Sequence, residues 1–275
     1  MIRAALLLAL ALLPPLVSPA MAATPHRFFL DDLTSPELRA AISGGATTVI
    51  IPVGGTEQSG PNIALGKHNV RVRVLAERIA AELGNALVAP VVAYVPEGSI
   101  TPAQGHMRFA GTISIPDDAF KAMLAGAARS LVHGGFTDVV LIGDHGGYQN
   151  LLEGVAAQLN HEWAKLPGAA TLPRAHFVAE YYLAAQAPFN QALRAHGLSE
   201  AQIGLHAGAA DTALMLATDA TLVRADQLTS AAQGAPANGV VGDPRPATAA
   251  LGRLGTEPIV TATVAAIRRA VSARH

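Results

Sequence analysis

The strongest constraint on the fold of this chain is a regular alternation between apolar, β-branched runs and segments with helical spacing. Each of the first three predicted strands is followed by a predicted helix, as expected where the chain must cross back over a sheet. This alternation predicts an α/β fold with a mostly parallel sheet covered by helices on both faces. The predicted strands are residues 46–53, 86–94, 138–142 and 175–182, and the predicted helices are residues 70–83, 117–133 and 148–165.

Glycine-rich loops follow two of these strands. Gly54 to Gly60 comes after the first strand, and Gly143 to Gly147 comes after the third. Ligands in open parallel sheets bind beyond the carboxyl ends of the strands, and glycine lets the backbone approach a ligand closely. We therefore predict the functional site at these two loops. Residues 231–248, which are rich in Gly, Ala and Pro, are predicted to form a surface loop.

The composition fits one enzyme-sized domain over residues 23–275. The chain has 275 residues, of which 51% are hydrophobic and 14% charged, so it can bury a substantial core. A formal net charge of −1 gives no basic surface for nucleic acid or for an anionic membrane. The absence of cysteine excludes disulfides, thiolate ligands and a cysteine nucleophile. Any metal ion must therefore be held by His, Asp and Glu.

The first 22 residues have the pattern of a signal peptide. Arg3 precedes an apolar run from Ala4 to Leu13, and Ala20 to Ala22 gives an A-x-A cleavage signal. The alternative is an uncleaved anchor, but the run is about half of the ~20 apolar residues that span a bilayer. We expect an exported protein, periplasmic or secreted, that has no membrane attachment after cleavage.

Each glycine-rich loop contains an acidic residue, and a histidine lies in the loop or shortly after it. Glu57 lies in the first loop, and His68 follows where a helix should begin; taken alone, each is also consistent with a solvent-exposed residue. Asp144 and His145 follow the third strand, which suits a metal-bound imidazole with a carboxylate behind it. A phosphate-binding loop is the alternative, but no G-x-x-x-x-G-K-[ST] or G-x-G-x-x-G pattern is present.

Two other candidates are less well defined by residue chemistry. His206 and Asp211 precede an apolar helical stretch, where an acid can simply favour the helix N-terminus. Ser59 lacks the G-x-S-x-G frame of a nucleophilic serine, since Glu57 and Pro61 occupy the glycine positions.

Four segments in the same order resemble the creatininase family of metal-dependent amidohydrolases. That family has G-x-T-E-Q-H-G-P-H-L-P-L-G-T-D, H-x-x-F-P-G-T-I, N-G-H-G-G-N and H-A-G-x-x-E-T-S segments. The counterparts here are Gly55 to His68, His106 to Ile113, Gly143 to Tyr148, and His206 to Ala213, and Gly242-Asp243-Pro244 resembles a further segment. The resemblance implies a three-layer α/β/α fold, usually hexameric, in which a metal ion activates water against a small cyclic or linear amide.

The same resemblance assigns roles to individual residues. Glu57 and His145 match metal ligands of the family, and His68 stands where two-metal members have a bridging Asp. Ser59, Asn62 and Gly147 replace two histidines and a glutamate, so a second ion loses at least one usual ligand. We therefore predict one divalent ion per chain held by Glu57, His68 and His145, with zinc preferred and manganese or iron as alternatives.

The remaining predicted roles concern catalysis and support of the metal ligands. Asp211 is the candidate general base or additional ligand, and His106 and His206 are candidates for substrate binding or proton transfer. Asp144 is expected to orient His145. Ser59 and Tyr148 are predicted to lie close enough to support the metal loop or contact substrate.

Three hypotheses for function follow. The leading one is hydrolysis of a C–N bond in a small cyclic or linear amide. The second is trimming of a peptide or opening of a formamide, and the third is a protein that binds a metal or small molecule without turnover. Metal-dependent turnover would separate the third from the other two.

Overall fold

The computed structural model describes residues 27–167 and 172–273. The predicted signal peptide, residues 1–22, lies outside the described residues. No helix within those two ranges is long and apolar enough to cross a membrane.

A parallel sheet forms the centre of the described fold, as the alternation predicts. Its strands are β1 (Thr48–Val53), β2 (Ala86–Val88), β3 (Asp138–Gly143) and β4 (Arg174–Phe177). They lie in the order β2-β1-β3-β4, and each neighbouring pair is parallel. The predicted α/β fold with a mostly parallel sheet is confirmed.

Two predicted strands are too long. The second, predicted over residues 86–94, ends at Val88, and Pro90, which has no N–H to donate, follows two residues later. The fourth, predicted over residues 175–182, ends at Phe177, and the chain turns into a helix at Glu180. Apolar runs of this length do not distinguish strand from buried helix, and here the tyrosines belong to the helix.

The helices before and between the strands are α1 (Ser35–Ser43), α2 (Lys67–Leu83), α3 (Asp117–His133) and α4 (Gln149–Trp163). Those after β4 are α5 (Glu180–Ala184), α6 (Ala187–Ala195), α7 (Glu200–Ile203), α8 (Ala209–Thr218), α9 (Leu228–Gly234) and α10 (Ala249–Ser272). Helix α2 ends at Gly84, whose φ of 78° is readily adopted by glycine. It begins three residues earlier than predicted, because Lys67, His68 and Asn69 lack the apolar periodicity used to predict it.

The two faces of the sheet bury separate apolar clusters. Ile50, Val140 and Ile142 pack towards α2, α5, α6, α8 and α10. Val49, Ile51 and Val139 point the other way, towards α3 and α4. Because successive strand residues face opposite sides, the fully buried strands β1 and β3 provide both interfaces, and the result is a three-layer α/β/α arrangement.

Strands β1 and β3 are neighbours, and their last residues, Val53 and Gly143, are paired. The loops that follow them therefore leave the sheet side by side.

The predicted surface loop over residues 231–248 is wrong in part. Its first residues belong to α9, and Val240 is fully buried. Val241 forms a β-bridge with His206, so this stretch packs against the predicted site.

Candidate metal centre

Glu57 is held at the centre of the site by the loop after β1. Its side chain is fully buried, and its backbone N–H donates to the carbonyl of Leu65. Burial would raise the pKa of its carboxyl, but the Lys67 ammonium and the hydrogen bond to His68 hold that pKa well below its usual range. Glu57 is therefore a buried carboxylate anion.

His68 lies in the first turn of α2 and touches a carboxylate with each ring nitrogen. Nε2 is 2.9 Å from Glu57 Oε1, and Nδ1 is 2.6 Å from Asp144 Oδ2. Asp144 also accepts hydrogen bonds from Arg71 and from the Tyr181 hydroxyl. Asp144 thus orients His68. The expectation that it orients the adjacent His145 is wrong, because the Asp144 side chain contacts His68 and Arg71 of α2 instead.

His145 reaches the same carboxylate from the loop after β3. Its Nε2 lies 3.6 Å from Glu57 Oε2, and its ring centroid is 5.2 Å from that of His68. Its Nδ1 accepts a hydrogen bond from the backbone N–H of Gly147, with the two nitrogens 3.2 Å apart, and lies 3.7 Å from Glu97 Oε2. Burial and the neighbouring His68 lower its pKa to about 4, so the imidazole is neutral near pH 7.

One oxygen of this cluster has no hydrogen-bond partner among the described residues. Glu57 Oε2 is buried and unpaired, although it lies 3.6 Å from His145 and 3.8 Å from Nε2 of His106. A buried carboxylate oxygen without a donor is costly unless a cation completes it. Ligand atoms of Glu57, His68 and His145 all lie within 4.8 Å of one another, so the residues fit a divalent ion.

His106 and His206 form a second group around Glu57. One ligand atom from each of these three residues also falls within the 4.8 Å limit. The two rings stack with centroids 4.2 Å apart, and the Gln58 amide nitrogen lies 2.7 Å from Nδ1 of His106. Burial and the neighbouring Lys67 lower the pKa of His206 to about 4, so this imidazole is also neutral.

Asp211 is brought to the site, but between two cations. Its carboxylate accepts from Lys67 at 3.0 Å, from Arg71 at 3.2 Å and from the backbone N–H of Ala207. Burial opposes ionisation, yet the two cations hold its pKa well below the usual range. A carboxylate this firmly ionised is a weak proton acceptor, so the contacts favour a positioning role over the predicted role of general base.

Neither Tyr148 nor Ser59 is among the described residues that line the pocket, so of the two predicted roles the contacts of Tyr148 fit support of the metal loop and not contact with substrate. The Tyr148 ring is fully buried, and its hydroxyl accepts from the backbone N–H groups of Asp144 and His145 and donates to the carbonyl of Gly54. It therefore ties the loop after β1 to the loop after β3. The hydroxyl of Ser59 is buried and has no hydrogen-bond partner among the described residues.

Three charged residues of the site were missed by the sequence analysis: Lys67, Arg71 and Glu97. Lys67 and Arg71 share a spacing of four with Leu75 and Ile79, which places all of them on the buried face of α2. That spacing is the signal that could have found them. Glu97 lies in an irregular loop, where no periodicity reveals burial.

The side chain of Glu97 is fully buried, and its two oxygens accept no hydrogen bond from an N–H or O–H donor of the described residues; its carboxyl contacts that of Glu57. Burial, followed by the nearby Glu57, raises the pKa of its carboxyl to about 8. In this structure Nδ1 accepts from the Gly147 N–H, so Nε2 of the neutral His145 ring carries the proton; metal binding at Nε2 would move that proton to Nδ1, 3.7 Å from Glu97 Oε2.

These side chains open onto one pocket between the strand ends, α2 and α8. The described residues that line it include Glu57, Lys67, His68, His106, His145, Tyr182, Leu205, His206 and Asp211. Leu205 is 88% exposed at the mouth, and Val241 beside it is also exposed. The pocket thus has a charged floor and an apolar rim.

The fold and this site define the class of protein: a parallel α/β protein with a candidate carboxylate–histidine metal site at the carboxyl ends of its strands. The sequence model of the creatininase family, described as creatinine amidohydrolase, matches residues 31–267. The chain belongs to the creatininase family.

Curated relatives match over shorter stretches. Mycofactocin precursor peptide peptidase from Mycobacterium ulcerans is 34% identical over 125 residues, 42% of this chain and 46% of the relative. 3-Dehydro-scyllo-inosose hydrolase from Thermotoga maritima is 28% identical over 44% of this chain and 37% of the relative. Creatinine amidohydrolase from Pseudomonas putida is 27% identical over 46% and 48%. The chain spans less than half the length of each.

Solved creatininases share the fold over nearly the whole chain. A creatinine amidohydrolase (creatininase) structure superposes with a TM-score of 0.72 at 21% identity, covering 88% of this chain and 97% of the other. A manganese creatininase gives 0.72 at 21% identity and covers 89% and 98%. A Zn–Zn type creatininase mutant gives 0.73, also at 21% identity, with the same coverage. Creatininase structures thus carry Mn or Zn, and this chain has candidate ligands in the corresponding fold.

Proposed function

We propose that this chain is a metal-dependent hydrolase that cleaves the C–N bond of a small cyclic or linear amide with one divalent ion, preferably zinc, held by Glu57, His68 and His145. The observation that carries the proposal is the buried, unpaired Glu57 Oε2 facing the His145 imidazole, beside a His68 ring already fixed by Asp144. When bound, the ion would lower the pKa of a coordinated water and polarise the scissile carbonyl.

His106 is the residue best placed to hydrogen-bond the substrate. The Gln58 amide is oriented by two other contacts, since its oxygen accepts from Gly60 N–H and its nitrogen donates to the Gly239 carbonyl. The same nitrogen then donates to Nδ1 of His106, so a neutral His106 carries its proton on Nε2. That N–H faces the pocket beside Glu57 and is available to the carbonyl oxygen or the leaving nitrogen of an amide.

The named relatives support a hydrolase. One is a creatinine amidohydrolase, one a hydrolase of an inosose, and one a peptide peptidase. Because they match this chain over less than half of their lengths, they support the reaction class and leave the substrate open.

A second candidate function is cleavage of a peptide bond. The apolar rim favours it, because Leu205 and Val241 offer a surface on which an apolar side chain of a peptide could rest beside the charged floor. A peptide substrate would extend out of the pocket across this rim, whereas a small cyclic amide would not need it.

Assembly and location are proposed on the family resemblance and on the first 22 residues. We propose a homo-oligomer, a hexamer by resemblance, and export with cleavage before Ala23. Light scattering measures the first, and the intact mass of the product in the periplasm or medium measures the second. A monomer contradicts the first proposal, and an unprocessed product starting at Met1 contradicts the second.

The test of the proposed function combines metal content and turnover. The protein is purified without added metal, reconstituted with zinc or manganese, and analysed by elemental mass spectrometry beside Glu57→Gln, which keeps the side-chain volume but removes the charge. Release of amine or ammonia is then followed over cyclic amides, formamides and short peptides. We expect about one ion in the wild type and at least ~100-fold lower turnover in the variant.

Two results would contradict the proposal. Absence of bound metal after reconstitution would rule out the mechanism. One ion per chain without hydrolysis of any of these amides would instead favour a binding protein without turnover.

A further inference from the structure

The ammonium group of Lys67 lies inside the metal centre. Its side chain is 1% exposed, and its Nζ is 3.1 Å from Glu57 Oε1, 3.0 Å from Asp211 Oδ2 and 3.5 Å from Nδ1 of His206. These are two carboxylate oxygens and an imidazole nitrogen. The same atoms, arranged around one point, would form a ligand set for a divalent ion.

His206 presents a lone pair to this point. Its Nε2 lies 2.7 Å from the backbone carbonyl of Gln58, which can only accept a hydrogen bond. Nε2 of the neutral ring must therefore carry the proton, and Nδ1 is left with a lone pair facing Lys67. The three atoms around the ammonium are thus all electron-pair donors.

The charges of the described site residues match one divalent ion. Counted without the proton that the raised pKa of Glu97 implies, the carboxylates of the site outnumber its cations by two; they are Glu57, Glu97, Asp144 and Asp211 against Lys67 and Arg71. One divalent ion supplies the missing charge. A second would leave an excess of two positive charges in a buried site, and it would sit against the ammonium itself.

The position of Lys67 is unfavourable for its helix. It is the first residue of α2, where the helix dipole favours acids, and the first turn contains no acidic residue. At this position the helix dipole does not stabilise the positive charge of Lys67, and burial keeps its ammonium group away from water. Its contacts with Glu57 and Asp211 are what hold it.

We propose that the Lys67 ammonium takes the place of a second metal ion, so that the centre is complete with a single divalent ion bound by Glu57, His68 and His145. This inference rests on the proposed function. Lys67 fixes the position of Glu57 and excludes a second ion from the space between Glu57, Asp211 and His206. The second group of candidate ligands, Glu57 with His106 and His206, then serves the substrate instead of a metal.

Manganese binding to the full chain tests this inference without an activity assay. The metal-free protein is titrated with Mn²⁺ to saturation, bound manganese is measured by elemental analysis, and the spin state is read by electron paramagnetic resonance. We expect about one ion in the wild type, with the spectrum of an isolated Mn²⁺. Lys67→Ala should bind about two ions, a twofold increase, with a spin-coupled spectrum. Lys121→Ala, which removes an exposed lysine of α3, should stay at one ion.

Each outcome bears on one of the two proposals. Two coupled ions in the wild type, or one ion in a folded Lys67→Ala variant, would overturn the inference while leaving a metal-dependent hydrolase intact. No manganese or zinc in the wild type would overturn the proposed function itself. If Lys67→Ala fails to fold, the ion count and spectrum of the wild type still decide whether one or two ions bind.

Discussion

At the scale of single residues, carboxylates determine how the histidines of the candidate metal centre are oriented and where they carry a proton. Asp144 fixes the His68 ring through Nδ1, so Nε2 points at Glu57 Oε1, where an ion shared with that carboxylate would bind in place of the proton. The candidate ligands Glu57 and His145 were predicted because they match metal ligands of the family motifs, and His68 because it stands where such a motif has an Asp. Lys67 stands at a position of the first segment that binds no metal in the family motif, and Arg71 and Glu97 lie outside the four segments. Folding brings Lys67 and Arg71 against Asp211, which lies far along the chain.

Replacing Asp144 by Asn should weaken metal binding about 10–100-fold, because His68 loses the acceptor that orients it. The affinity is measured by competition with a chromophoric chelator. Tyr181→Phe is the matched control, since it removes one hydrogen bond to Asp144 and leaves the carboxylate in place. Its effect should stay below about tenfold. Equal affinities of Asp144→Asn and the wild type would show that Asp144 does not support His68.

Metal affinity should rise with pH between about pH 6 and 8. In the metal-free protein, burial and Lys67 oppose a proton on His68, but Asp144 and Glu57 outweigh them and raise its pKa. The Glu97 carboxyl, with a pKa of about 8, also holds a proton that the bound ion would displace. His145, with a pKa of about 4, is already neutral and adds no dependence in this range.

The sign follows from competition between the proton and the ion. Each proton released on binding should strengthen the apparent affinity up to about tenfold per pH unit while that group is still protonated. Titrations at several pH values, and calorimetry in buffers of different ionisation enthalpy, measure the number of protons. An affinity that is flat over this range would show that His68 and Glu97 bind no proton in the metal-free site.

At the scale of elements, the candidate metal centre depends on the loops more than on the strands, because the loops after β1 and β3 carry Glu57 and His145. The mostly parallel sheet and the helices α2, α3 and α4 were predictable from apolar periodicity, because burial on a regular element repeats along the sequence, whereas the order of the strands was not predicted. The strand predicted over residues 175–182 failed because an apolar run fits a short buried helix as well as a strand. The path of the loop around Glu97 was not predictable, since contacts between loops have no sequence period.

Gly55→Ala should destabilise the protein by about 1–3 kcal/mol. Gly55 has a φ of 144°, and an added Cβ would lie 2.6 Å from Glu97 Oε1 and 3.1 Å from Val95 Cγ2. Gly154→Ala in α4 is the control, because its Cβ would meet nothing within 4 Å, and it should stabilise by up to about 1 kcal/mol. Urea denaturation measures both. Equal effects of the two substitutions would contradict a strained Gly55.

At the scale of the whole molecule, metal binding and folding are linked. An ion that binds only the folded chain at 100 times its Kd adds about 2.7 kcal/mol to the free energy of unfolding. For a chain of this size that corresponds to a rise in Tm of about 5–10 °C. Scanning calorimetry with zinc and with a chelator measures the shift, and Glu57→Gln should show almost none. The same Tm in both conditions for the wild type would show that the folded state binds no zinc.

The Tyr148 hydroxyl has a consequence for how such a centre can change over evolution. One buried oxygen holds the backbone of both ligand-bearing loops, so the spacing between Glu57 and His145 is set by the scaffold and not by whichever ion is bound. Individual ligands around that scaffold can then be exchanged without collapse of the rest. Substitutions such as those at Ser59, His68 and Gly147 can therefore be acquired one at a time, because the backbone that positions these residues is held by Tyr148 and does not depend on which side chains bind the ion.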